Sequence, residues 1–357
     1  MSARLAALRA KVAERELGAL LVSNLVNVRW LTGFSGSNAA ALVGADSARF
    51  VTDFRYLTQA AEQLAAAWER EIETDLLKRV VAGLPDGPLR LGFDDAHLTV
   101  AQHAQLGQLV AERDVELVAA GGIVEALRAV KDAAEIDRIR AAAKLADDAF
   151  EEVVGAGIVG RTERDVALDL EIAMRRRGAQ GASFAPIVAA GAHGALPHAV
   201  PRDVPIPAGT LVVIDWGAQL DGYASDCTRT VAIGDLDPRD RAVYDTVLAA
   251  QEAALAGVRP GPTGQEVDAI ARAIIDDAGH AEHFGHGLGH GVGLEVHEGP
   301  RLSKQGKDAL AAGNIVTVEP GIYVPGAVGV RIEDLVAVTA EGHEVLSGLP
   351  KALRTVG

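Results

Sequence analysis

This sequence predicts an α+β protein in two parts. A smaller α/β domain spans residues 1–127, and a larger domain spans 128–357, where helices cover one face of a curved antiparallel sheet. Three observations carry the prediction. Short β-like runs alternate with amphipathic helical stretches up to about Ala126; helical patterns fill the middle of the chain; and strand signals dominate from Thr210 onward.

In the first part, ALLV, NVRWLTGF, ARFVTDF, LRLGFDD and VELVAA read as strands, and residues 56–69 and 100–112 as helices. Residues 127–154 read as one long helix that crosses the domain boundary, with Ile136, Ile139, Ala143 and Ala146 on its apolar face. A further helix covers 161–178, where Thr162 and Asp165 suit a cap and first turn and Gly178 a stop. Residues 244–256 and 263–278 form two more, the second closed by Gly279.

Composition excludes several function classes. A chain of 357 residues with 49% apolar content and mean hydropathy +0.15 buries a large core. Its net charge is −15 and it has no run of five Lys/Arg residues, so neither nucleic acid nor an anionic membrane is the expected partner. No apolar run approaches the roughly 18 residues of a membrane helix. With one cysteine, Cys227, and charges interrupting the apolar stretches of the N-terminus, the expected compartment is the cytoplasm.

Four carboxylates lie inside apolar, strand-like runs. Asp215 and Asp226 flank a turn-prone stretch at 219–222, and Glu319 and Glu333 flank another at 325–327. A turn centred between Leu220 and Asp221 places Asp215 directly opposite Asp226; one centred on Gly326 places Glu319 opposite Glu333, unless a bulge beside Pro320 and Gly321 shifts it. Like charges so placed destabilise a sheet, and a desolvated carboxylate costs several kcal/mol unless compensated. Divalent ions are the economical compensation, and a clustered oxygen set can hold two. Five histidines fall between His280 and His297, in HAEHFGHGLGHGVGLEVH. One of them joining the carboxylates gives an oxygen-rich set suited to Mn first, with Co, Zn or Fe as alternatives. The alternating glycines there lack the spacing of a dinucleotide loop. Cys227 neighbours Asp226 but points to the opposite strand face, so it is read as core.

The ordered series of Asp215, Asp226, HGLGHGVGLEVHE, VEPGIY and VRIED resembles the pita-bread metallopeptidases, in particular the Xaa-Pro branch of prolidases and Xaa-Pro aminopeptidases. The residues NVRWLTGF and FVTDFRYLTQA extend the likeness to the creatinase-type N-terminal domain of that branch. The resemblance implies a pita-bread catalytic domain and a dinuclear centre of two divalent ions held by Asp215, Asp226, His290, Glu319 and Glu333. It implies catalytic roles for His198, His297 and Glu319, substrate contacts for His286, Arg301 and Arg331, and a homodimer. Arg331 shares a strand face with Glu333, so neutralising a ligand is its alternative role. His193, His280, His283 and His343 match no position and are read as surface or loop residues. The implied reaction is hydrolysis of an Xaa-Pro bond in dipeptides or short peptides. Arg301, facing a free proline carboxylate, leans it toward dipeptides; an aminopeptidase acting on tripeptides and longer is the alternative. A creatinase-like or non-catalytic metal-binding member is disfavoured by the complete ligand set.

Overall fold

A computed structural model describes residues 3–356. The chain divides into two compact units, Met1–Arg128 and Ala129–Gly357.

The first unit is built on six strands in the order Glu69–Ile72, Ala48–Thr52, Ala39–Gly44, Ala19–Val22, Leu89–Phe93, Val115–Ala119. Its middle pairs are antiparallel and its flanking pairs parallel, as an α/β pattern requires. Two stretches differ from the sequence reading. NVRWLTGF is not a strand: Leu25–Thr32 is helical, because the Asn24 side chain accepts the Val26 N–H and Gly33 closes the end at φ 82°. The helix expected over 56–69 stops at Gln63, and Glu69 already begins an edge strand.

The expected single helix over 127–154 is two, one in each unit. One ends at Arg128, and the next, Ala133–Gly155, starts at a capping box in which Asp132 and Glu135 satisfy each other's backbone N–H groups. Helix Glu163–Arg176 has Thr162 as its cap, accepting the Asp165 N–H. Helix Pro238–Gly257 begins six residues earlier than its hydrophobic pattern shows, with Asp237 as cap and a proline in the first turn. Thr263 and Glu266 box the start of Gly264–Asp277.

These four helices cover two sheets. The first sheet runs Thr355–Val356, Cys227–Ile233, Thr210–Trp216, Ile187–Ala190; the second runs Glu298–Leu302, Gly289–Gly291, Ile315–Val318, Asp334–Val338, His343–Val345. Helices Ala133–Gly155 and Glu163–Arg176 share a core with Val212, Ile214, Trp216, Cys227 and Val231, while the other two share one with Val316, Val318, Val336 and Val338. Strand side chains alternate between faces. Asp215, Thr228 and Thr317 therefore point away from the helices, and that is the face on which the site is built.

Candidate metal centre

The first carboxylate hairpin corrects the expected register. Asp215 pairs with Thr228, not Asp226, and the turn is the dipeptide Asp221-Gly222 with φ of 49° and 84°. A two-residue turn with both φ positive is the type I′ geometry that Asp-Gly favours. The pairing moves by two residues, which preserves the face, so Asp226 lies diagonal to Asp215 rather than opposite it. The second hairpin keeps its register, from Ile315↔Ala337 to Gly321↔Arg331, so Glu319 and Glu333 stand opposite with no bulge between.

Threonines of strand Cys227–Ile233 stitch the two hairpins together. The Glu333 N–H donates to Thr228 O at 3.1 Å, the Thr228 hydroxyl donates to Glu333 Oε2 at 2.7 Å, and the Thr230 hydroxyl donates to Arg331 O at 2.8 Å. Arg229, buried, donates to the Glu333 carbonyl and to Asp334 Oδ1. Between the halves, ligand-type oxygens of Asp215, Asp226 and Glu333 gather within 4.8 Å of one another, and all three residues are buried.

His290 and Glu319 complete the group. His290 Nε2 lies 3.2 Å from Glu319 Oε1 and 3.6 Å from Asp226 Oδ2. Its Nδ1 donates to Gly291 O at 3.1 Å, so Nε2 of the protonated ring donates to Glu319, while in the neutral ring Nε2 presents its lone pair to the carboxylate cluster, as a cation would require. Thr317 fixes this pair: its hydroxyl donates to Glu319 Oε1 at 3.0 Å and accepts the His290 N–H at 3.1 Å.

The charges fit a cation. Burial, and then the neighbouring carboxylates, push Asp226 and Glu333 well above the ordinary carboxylate range. Burial also raises Asp215, against the attraction of Arg331. Burial acts to raise Glu319 as well, but the hydrogen bond and charge of His290 outweigh it and hold the group at about 2. Asp215 Oδ1 and Glu333 Oε1 are buried without a hydrogen-bond partner. Orphaned buried oxygens of this kind carry a large desolvation cost, and a divalent ion removes it. The donor set, four carboxylates and one imidazole, suits such ions.

Around the centre, Arg331 is fully enclosed. It donates to Asp215 Oδ2 at 2.7 Å, to Thr228 Oγ1 at 3.0 Å, to Tyr323 OH at 2.8 Å and to Pro197 O at 3.2 Å. Tyr323 OH lies 2.9 Å from His286 Nε2, and His286 Nδ1 lies 2.7 Å from Gly287 O. These contacts set one direction of donation, from Arg331 to Tyr323 to His286, which is neutral because burial lowers its pKa. His297 is exposed and stacks edge-on against His290 at 4.3 Å between centroids. Arg301, exposed, pairs directly with His290 across the sheet, so the two share a face. His198, exposed, is near enough to His286 and His297 to depress their protonation. Tyr323, Thr228 and Thr317 are site residues that spacing alone did not single out; Tyr323 sits within VEPGIY, where its apolar neighbours Ile322 and Val324 gave no sign of a polar role. His193 is a correction: its side chain is buried, held by Glu163, rather than at the surface.

Residues 137–340 match metallopeptidase family M24, and residues 4–130 match the creatinase/prolidase N-terminal domain. The chain belongs to metallopeptidase family M24. It is a hydrolase of the pita-bread fold, and its family uses divalent metal ions. It is 42% identical to the uncharacterised peptidase YqhT of Bacillus subtilis over 337 residues, 94% of this chain and 95% of that one. Among solved structures, an Xaa-Pro dipeptidase from Bacillus anthracis superposes with a TM-score of 0.94 at 38% identity, covering 99% of each chain. An X-Pro aminopeptidase from Thermotoga maritima gives 0.88 at 33% identity, covering 96% of this chain and 99% of that one. No helix of the described residues is long and apolar enough to cross a membrane.

Proposed function

We propose that this M24 peptidase hydrolyses the Xaa-Pro bond of dipeptides, using two divalent ions held by Asp215, Asp226, His290, Glu319 and Glu333, with manganese as the native metal. The observation that carries the reading is the convergence of these five side chains, two of them with orphaned buried oxygens, in a chain that superposes along almost its whole length on an Xaa-Pro dipeptidase.

The bond itself demands a dedicated site. An Xaa-Pro amide has no N–H and a fixed φ, so it escapes peptidases that read an extended backbone. When bound, two divalent ions activate water near neutral pH and polarise the scissile carbonyl. The protein's own groups do the rest. Glu319 is ionised at working pH and takes the proton of the attacking water, then passes it to the leaving imino nitrogen. Although His297 lies at the surface, partial desolvation where its ring packs on His290, and then His290 itself, lower its pKa, so the neutral ring offers one N–H; with His198 it donates to the developing oxyanion. Arg331 orients Asp215 and, through Tyr323, His286, whose ring borders the substrate. Arg301 on the rim receives the free carboxylate of the C-terminal proline, which a longer peptide lacks. The expected setting is the cytoplasm, in keeping with a single cysteine, and the expected assembly is the homodimer that the family resemblance implies.

Chelation followed by manganese addition should abolish and restore turnover of Ala-Pro. Comparing kcat/KM for Ala-Pro and Ala-Pro-Ala in wild type and Arg301→Ala then tests substrate length. The dipeptide preference should be lost in the variant, and unchanged dipeptide turnover refutes the carboxylate role of Arg301.

A further inference from the structure

Away from the metal centre, one carboxylate in the larger unit is saturated by a single loop. Glu163 opens helix Glu163–Arg176, and its side chain is 1% exposed. Its Oε1 accepts the Ala190 N–H at 2.9 Å and Arg202 Nη2 at 3.0 Å; its Oε2 accepts the Arg202 backbone N–H at 2.9 Å and Arg202 Nε at 3.1 Å. His193 Nδ1 lies 2.9 Å from Oε2. Backbone bonds run alongside, from the Arg164 N–H to Arg202 O at 3.1 Å and from the Glu163 N–H to Val204 O at 3.3 Å. Ala190 and Arg202 are the two ends of the segment that carries His198.

The middle of that segment rests on the metal-centre side. Arg331 donates to Pro197 O at 3.2 Å, and Gly329 lies so close that a Cβ there would stand 1.7 Å from Gly194 O. His198 has no side-chain hydrogen bond among the described residues, and Leu196 and Val200 on either side of it are exposed. Neither bonding nor packing of its own therefore holds the His198 ring. Its position is inherited from the backbone of residues 190–202.

We propose that Glu163 is a positioning residue for the reaction: together with His193 and Arg202 it clamps both ends of residues 190–202 and so sets His198 at the edge of the metal centre. The inference rests on the role given to His198 above. Burial alone would raise the Glu163 pKa, but Arg202 and the Ala190 N–H outweigh it and keep the group below its ordinary value, so the clamp stays ionised across the working range. A displacement of the loop by about 1 Å is enough to cost up to about a hundredfold in rate.

The test is a double-mutant cycle on the manganese-loaded enzyme with Ala-Pro as substrate, using Glu163→Ala, Glu163→Gln, His198→Ala and the double variant Glu163→Ala/His198→Ala. Glu163→Ala should lower kcat/KM by about tenfold to a hundredfold, divided between kcat and KM as in His198→Ala. Glu163→Gln, which keeps one acceptor oxygen but turns the other into an NH2 group facing donors of the loop, should recover only part of the loss. In the His198→Ala background, Glu163→Ala should cost no more than about twofold. Hydrogen exchange on the metal-free protein supplies a readout other than activity: the Ala190 and Arg202 amides should lose protection in Glu163→Ala, while those of 212–216 keep it. If Glu163→Ala does not fold, Arg202→Met tests the same clamp from a half-exposed side chain, with the same pattern expected at smaller size. Equal losses from Glu163→Ala in both backgrounds, or exchange that quickens throughout the unit, overturn the proposal while leaving the role of His198 intact. A His198→Ala enzyme with unchanged kcat/KM overturns that role and the proposal with it.

Discussion

Metal binding to this protein should be pH-dependent, and the crowding of its carboxylates gives the direction. Four clustered carboxylates, three of them buried, face one guanidinium, Arg331 on Asp215, and one imidazole, His290 on Glu319, so the cluster holds more acidic groups than its contacting cations can balance in the metal-free state. The chain's response is to hold protons: Asp226 and Glu333 are pushed well above the carboxylate range, by burial first and by their neighbours next. His290 is raised as well, since Glu319 outweighs the effect of its burial. An incoming ion must displace these protons, because the ligating forms are the carboxylate and the neutral imidazole. The direction follows: below the raised pKa values protons compete with metal, so affinity rises with pH. Each proton released per ion steepens the dependence by about 1.4 kcal/mol per pH unit, which is tenfold in Kd. Between pH 6 and pH 8, one released proton predicts a change of about a hundredfold. Manganese titrations by calorimetry, in buffers of different ionisation enthalpy at pH 6, 7 and 8, measure the affinity and the proton count independently. A Kd that stays flat across this range, with heats independent of the buffer, would refute the argument that proton binding relieves the carboxylate cluster.

Asp226→Asn removes one of the crowded charges, so the metal-free protein should unfold at higher temperature than wild type at pH 8 while its manganese affinity falls at least about tenfold; a lower melting temperature would show that Asp226 is not strained. Tyr323→Phe strands an Arg331 N–H and His286 Nε2 in a buried site, costing about 1–3 kcal/mol in urea unfolding. It should also lower kcat/KM, and unchanged kinetics would limit Tyr323 to stability. Asp147 is buried, and its carboxyl is pushed up to about 6 by that burial, against the Gly348 N–H and Arg229. Its folded pKa exceeds its unfolded one, so its contribution to stability is fully present below pH 4 and is lost as pH rises to 6. Asp147→Asn should therefore stabilise by up to about 3 kcal/mol at pH 7.5 and by almost nothing at pH 4; equal effects at both pH values would point to packing instead.

The errors in reading the fold came where a local end signal competed with a longer pattern. The capping box Asp132–Glu135 and the Asn24 cap with Gly33 stop are both written in the chain. Hydrophobic periodicity ran across the first and β-branched residues masked the second, so one helix looked continuous and another looked like a strand. At the site, residue types and order were legible because a charge inside an apolar strand is costly wherever it stands. Contacts made by chain-distant groups were not. Glu163 reads as an ordinary first-turn acid, and only the folded chain places Ala190, His193 and Arg202 around it.

The two hairpins explain why face was predictable where pairing was not. Around Asp221-Gly222 the true turn lies one residue beyond the expected centre, and moving a hairpin's centre by one residue shifts its pairing by two. Because side chains alternate with a period of two, that error changes each partner but no residue's face. Asp215 thus gains Thr228 as its neighbour instead of Asp226, and the substitution is chemically useful. Thr228 donates to Glu333 and accepts from Arg331, linking the acid of one hairpin to the guanidinium that neutralises the acid of the other. Two carboxylates directly opposite would have repelled each other within one sheet. On the diagonal they stay on the same face, with a hydroxyl between the two hairpins to order the charged groups.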